Sequence, residues 1–175
     1  MTVRWWGRAA GLTIVAALLA GSMSSAAAGG AASPPGAGWE LIGRAADGRI
    51  VLQLALPRGR FALEYRNSVY ASPAAENFAV TDEGRIALVE LAAVDPAVLQ
   101  EYYGITARLG RVATGEREGW WLGPPAEPVE LDSLVVAATR HGERAVVVDG
   151  SRPMLLWHVL GAAGPQVTLE ARRAA

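Results

Sequence analysis

The sequence predicts an all-β fold: an antiparallel sandwich or barrel of about ten short strands, with one short helix at about 95–104. Three observations lead there. Short apolar stretches alternate with turn signals roughly every 8–15 residues. The clearest stretches alternate apolar and polar side chains with a period of two, as a half-buried strand does. No long amphipathic helix and no internal repeat is evident along the chain.

Trp39 to Ile42 reads as the first strand, closed by Ala46-Asp47-Gly48. Ile50, Leu52, Leu54 and Leu56 then alternate around Gln53. Phe61, Leu63 and Tyr65 point one way, and Arg60, Glu64 and Arg66 the other, which makes this the best-patterned strand. Pro57-Arg58-Gly59 between these two strands predicts a hairpin. Asn67 to Glu76, which contains Pro73, reads as an irregular loop. Asn77 to Thr81 and Arg85 to Leu91 predict a second hairpin around Asp82-Glu83-Gly84. The helix signal follows: Asp95 as N-cap, Pro96 at the first helical position and Gly104 as the stop. That helix would cover Ala97 to Tyr103. Thr106–Ala113, Gly119–Leu122, Val129–Ala138, Ala145–Val148, Met154–Leu160 and Val167–Ala171 complete the strands. Gly123-Pro124-Pro125 and Asp149-Gly150 break them.

Ahead of this domain, residues 1–28 have the three zones of a cleavable signal peptide. Arg4 and Arg8 supply positive charge, Ala9 to Gly21 is apolar, and Ala26 and Ala28 form an Ala-x-Ala cleavage pattern. The apolar run is shorter than the roughly 20 residues a spanning helix needs. The expectation is export to the periplasm or the extracellular space. The alternative is an uncleaved segment anchoring the domain to the cytoplasmic membrane. The absence of cysteine rules out a lipid anchor and disulfides alike. Residues 29–38 (GGAASPPGAG) read as a disordered tether, which leaves 39–175 as a single β domain.

The chain carries 16 Lys+Arg against 17 Asp+Glu. That balance is not the footprint of a nucleic-acid binder. Every basic residue is arginine, so no lysine can act as nucleophile or Schiff base.

Polar residues concentrate between Phe61 and Phe78, a span that holds both asparagines of the chain, Asn67 and Asn77. A polar loop leaving a well-patterned strand is a candidate binding site, with Asn67, Ser68, Tyr70, Ser72 and Glu76 as its residues. Ordinary turn chemistry reads the same residues differently, with Asn and Ser bonding their own backbone. Glu76 is expected to play a structural part, reaching back to the Asn67-Ser68 backbone. No catalytic residues, metal ligands or cofactor are expected. His141 and His158 stand alone, without the ligand spacing a zinc site needs. No nucleophile-elbow motif and no glycine-rich phosphate loop is present. Of the adjacent Trp120 and Trp121, one should face the core and the other the surface, since neighbours on a strand point oppositely.

The stretch Phe61-Ala62-Leu63-Glu64-Tyr65-Arg66-Asn67-Ser68-Val69, with Ser72-Pro73 and Glu76 after it, resembles the domain-of-unknown-function family numbered 1850. That family comprises small exported proteins with an aromatic strand running into His-Ser-Val-Glu, then Thr/Ser-Pro, then a glutamate. Ser68, Val69, Ser72, Pro73 and Glu76 match the pattern, and the hairpin from Phe78 to Leu91 also fits, with Glu90 near its end. Asn67 stands at the family's histidine and Tyr70 at its first glutamate. The resemblance implies an uncharacterised exported domain, often encoded beside tripartite TAXI-type transporters. The function expected is therefore a non-enzymatic accessory to a membrane solute transporter, with a transporter component and a small solute as partners. The alternative is a free-standing ligand-binding or envelope-structural module, and an enzyme using Ser68, Tyr70 or Glu76 is a third reading.

Overall fold

The structure, a computed structural model, describes residues 38–106, 109–149 and 151–174. The signal segment 1–28 and nearly all of the tether lie outside the described residues. The architecture is all-β, in two antiparallel sheets that do not close into a barrel.

The strands are β1 Trp39–Ala45, β2 Ile50–Leu56, β3 Arg60–Asn67, β4 Ser72–Val80, β5 Ile86–Ala93, β6 Gly110–Arg111 and β7 Trp121–Gly123. They continue with β8 Val129–Leu131, β9 Leu134–Ala137, β10 Ala145–Val147, β11 Met154–Leu155 and β12 Gln166–Arg173. The smaller sheet runs β2-β1-β12-β9. The larger runs β11-β10-β3-β4-β5-β7-β6, with β8 also paired to β5.

The main core lies between the sheets. Leu41, Leu52, Leu56, Val167 and Leu169 of the smaller sheet meet Phe61, Leu63, Phe78 and Ile86 of the larger. The rings of Phe61 and Phe78 stack at 5.1 Å across the β3–β4 pair. A second cluster sits on the same inner face of the larger sheet, further along. There Tyr65, Ala74, Leu91 and Ala93 are covered by Val98, Leu99 and Ile105.

Four sequence expectations are corrected. β2 and β3 do not form a hairpin: β2 pairs with β1, and β3 with β4 and β10. Pro57-Arg58-Gly59 is a corner between sheets. A strand pattern cannot distinguish the two, because Leu56 and Phe61 face the same core from either side. Asn67 to Glu76 is not all loop, since β4 starts at Ser72. Pro73 is tolerated there because it lies at the very end of the pairing with β5, where its carbonyl accepts from the Val94 N–H at 3.0 Å and no strand residue beyond requires an N–H from it. Met154 to Leu160 is strand only to Leu155, and Leu156–Leu160 is a helical turn, α1. Leu156 and Leu160, four residues apart, are both buried on one helical face, and a uniformly apolar run hides that period. Val129 to Ala138 is two strands, β8 in the larger sheet and β9 in the smaller.

The 95–104 helix is a single π-helical turn, Val98–Tyr102. Its start follows the sequence signal: the Asp95 carboxylate accepts a hydrogen bond from the Ala97 N–H at 2.9 Å. Gly104 ends it at φ +68°, where a side chain would be strained.

Candidate functional site

β3 to β5 carry two polar constellations, one on each face of the larger sheet. The register sets this division: Leu63 lies opposite Glu76 and Tyr65 opposite Ala74, so these face inward with Phe61. Ala62 lies opposite Asn77, and Asn77 opposite Glu90, so these face outward.

The inner constellation is a buried chain of hydroxyls. The Tyr103 hydroxyl donates to Glu76 Oε1 at 2.6 Å and shares a 2.5 Å hydrogen bond with the Tyr65 hydroxyl. Glu76 is 7 % exposed and Tyr65 8 %. Glu76 therefore bonds the turn after β5, and not the Asn67-Ser68 backbone as expected, because it points inward from the middle of β4. The Arg144 guanidinium, also buried, lies 5.2 Å from the centre of the Tyr65 ring. Burial holds the Tyr65 phenol well above its usual range; the negative Glu76 adds to this, while the Tyr103 bond and Arg144 oppose it. Burial likewise pushes Tyr103 up, reinforced by the charge of Glu76. Both phenols therefore stay protonated and able to donate.

The five loop residues singled out from the sequence do not converge. Asn67 is buried, and its side-chain oxygen accepts from the N–H groups of Val69 and Tyr70 at 3.0 and 3.1 Å. That is the turn chemistry open to an asparagine. Ala71, at φ +48°, completes the reversal into β4. Ser68 is exposed, and Ser72 is buried with its hydroxyl oxygen unpartnered. The Tyr70 hydroxyl donates to Glu101 at 2.6 Å, a bond that raises its phenol. None of the five lines either of the two hollows described next.

The outer constellation forms a groove. Val112 to Trp120 is a tight hairpin loop, closed by the Val112 N–H donating to the Trp120 carbonyl at 2.8 Å. It lies over the outer face of β3 and β4, where Arg117 donates to Glu64 at 2.8 Å and to the Asn77 side-chain oxygen at 3.0 Å. The Asn77 amide donates in turn to Glu90 at 3.0 Å. The Arg117 guanidinium sits 5.3 Å from the Trp120 ring centre. Beside this loop are two hollows of about 470 and 1040 Å³, which share Glu64, Trp120 and Pro153. Trp157, with Arg140 over its ring at 5.1 Å, walls the smaller. Arg60, Val89 and Arg152 line the larger.

Trp121 packs against the second core cluster while Trp120 lines the hollows, the division expected of strand neighbours. Arg117, Asn77 and Trp157 drew no attention as site residues in the sequence. Arg117 meets its partners 40 and 53 residues away, and no local pattern signals such distances. His158 is exposed on α1 against the Trp157 ring, and His141 is exposed in a turn. Among the described residues, no group of three or more His, Asp or Glu is placed to hold a metal ion. Comparison with family models, with curated proteins and with solved structures finds no match to this chain.

Proposed function

We propose that this is an exported, non-enzymatic binding domain, an accessory to a membrane solute transporter, that takes a small solute in the groove on the outer face of its larger sheet. One observation carries the reading: the two hollows meet at Trp120, over a sheet packed against two apolar clusters. A concave site with aromatic walls and a few placed polar groups is the common form of a small-molecule site. Glu64, Asn77 and Glu90 supply acceptors on the floor, and Trp120 and Trp157 supply flat apolar faces. The transporter link rests on the resemblance of Phe61 to Glu76 to the exported family.

The test has two arms. In the first, indole N–H signals of the labelled domain are followed while organic acids, amino acids and sugars are added. At least one class should shift the Trp120 and Trp157 signals together, and the Trp157 shift should be lost in Trp120→Ala. In the second, the chain with a C-terminal tag is purified from membranes, and transporter subunits should accompany it. An unmoved Trp120 signal would sink the binding site. Absence of transporter subunits would sink the accessory role.

A further inference from the structure

Some of the charged side chains that line the larger hollow are already paired. Glu64 is held by Arg117 at 2.8 Å, and Asp149 by Arg58 at 3.0 Å. Four others form no ion pair among the described residues: Arg60, Arg152, Glu90 and Glu116. What remains free is therefore of both signs and sums to zero. The two signs are also separated. Arg60 opens β3, and Arg152 lies in the turn between β10 and β11, the strand pair beside β3. Glu90 stands on β5, two strands from β3, which is about 10 Å across the sheet. A β-bulge sets its position. Asn77 pairs with Glu90 but Phe78 pairs with Leu88, so Val89 is an extra residue, and both Val89 and Glu90 line the hollow. Bulges recur beside binding and active sites, where they re-aim a side chain. The Asn77 amide donates to Glu90 Oε1 at 3.0 Å, which leaves Oε2 free to accept. The smaller hollow differs in character. Its charged residues, Arg66, Arg140 and Glu143, are exposed, whereas Trp157 and Leu155 are half-buried, and it meets the larger hollow at Trp120.

We infer that the solute is a zwitterion, an α-amino acid with a large apolar side chain. Its carboxylate goes to Arg60 and Arg152, its ammonium to Glu90, and its side chain past Trp120 into the smaller hollow. The inference rests on the groove reading above and narrows it to one class of ligand. Charge decides the class. An organic acid would satisfy the two arginines but set its own charge against Glu90 and Glu116. An amine would do the reverse. A neutral sugar would leave all four groups unpaired inside a concave site, where walls of low dielectric focus their field. A zwitterion answers both signs at once. Guanidinium and carboxylate also match in geometry, since the fork of one donates to both oxygens of the other. The apolar side chain follows from Trp120 and Trp157, whose rings offer broad apolar faces.

The probes are phenylalanine, phenylpropionate, which lacks the ammonium, and phenethylamine, which lacks the carboxylate. Each is titrated into the protein while the Trp120 and Trp157 indole signals are followed. Phenylalanine should bind about ten-fold or more tighter than either analogue, because each analogue loses one charge-assisted contact. Arg60→Gln combined with Arg152→Gln should lower phenylalanine to the level of phenethylamine without weakening phenethylamine itself. Both arginines are exposed and unpaired, so the double variant keeps the fold. Glu90→Gln, which still accepts from Asn77, should lower phenylalanine to the level of phenylpropionate. Equal binding of phenylalanine and either analogue overturns the inference. So does movement of the indole signals by sugars alone, which would keep the groove as a binding site and change its ligand. If no compound moves either signal, the groove reading itself has failed and the inference falls with it.

Discussion

Tyr103→Phe isolates the buried hydroxyl chain, because it removes one oxygen and keeps the ring. The lost hydroxyl is the only donor to the Glu76 side chain among the described residues, at 2.6 Å. A hydrogen bond to a charged, buried acceptor contributes about 1.5–3 kcal/mol. At about 3–4 °C per kcal/mol for a domain of this size, Tm should fall by roughly 5–10 °C at pH 7. The pH dependence adds a second signature. Folding raises the Tyr65 and Tyr103 phenols above their unfolded value of about 10. A raised folded pKa gives stability that is complete below the unfolded pKa and lost as pH climbs beyond it. Each tyrosine removes about 1.4 kcal/mol per pH unit above pH ~10, so the pair removes about 2.7. Tyr103→Phe should halve that slope, since Tyr65 stays buried; the raised Tyr70 is common to both proteins. Chemical denaturation from pH 7 to about 11.5 measures both effects. An unchanged Tm at pH 7 together with an unchanged alkaline slope would show that Tyr103 is not bonded to Glu76.

Phe61→Ala removes half of the Phe61–Phe78 stack and should cost about 3–5 kcal/mol in a denaturation curve; a loss below about 1 kcal/mol would place the ring at the surface. Gly43→Ala places a Cβ 2.8 Å from Leu52 Cβ between two paired strands, and should cost about 1–3 kcal/mol; an unaltered midpoint would mean that β1 and β2 are further apart. Arg117→Ala breaks a half-exposed pair with Glu64, so global stability should drop by no more than about 1 kcal/mol. Hydrogen exchange should nonetheless quicken in Val112–Trp120, and equal exchange rates would show that the loop is held without Arg117.

The strand β3 was legible from the sequence because its inward residues, Phe61, Leu63 and Tyr65, repeat every second position against one core. The β4–β5 hairpin and the Asp95 start were legible for the same kind of reason: a turn or a cap is written in adjacent residues. Asn67 was visible as a polar residue in a loop, but only the fold shows its side chain closing its own turn. Which strand pairs with which was decided by the tertiary structure. Leu56 and Phe61 satisfy the same alternation whether they share a sheet or face each other across the core. The partner of Glu76 was likewise a tertiary matter, because Tyr103 is 27 residues away and reaches it only once the 95–105 segment covers the second cluster. The groove follows the same logic, since Glu64, Asn77, Arg117 and Trp157 come from four separate segments. Local sequence determines alternation, caps and turns through short-range sterics and hydrogen bonds. Long-range pairing depends on which apolar surfaces are left to bury, and only the assembled fold settles that.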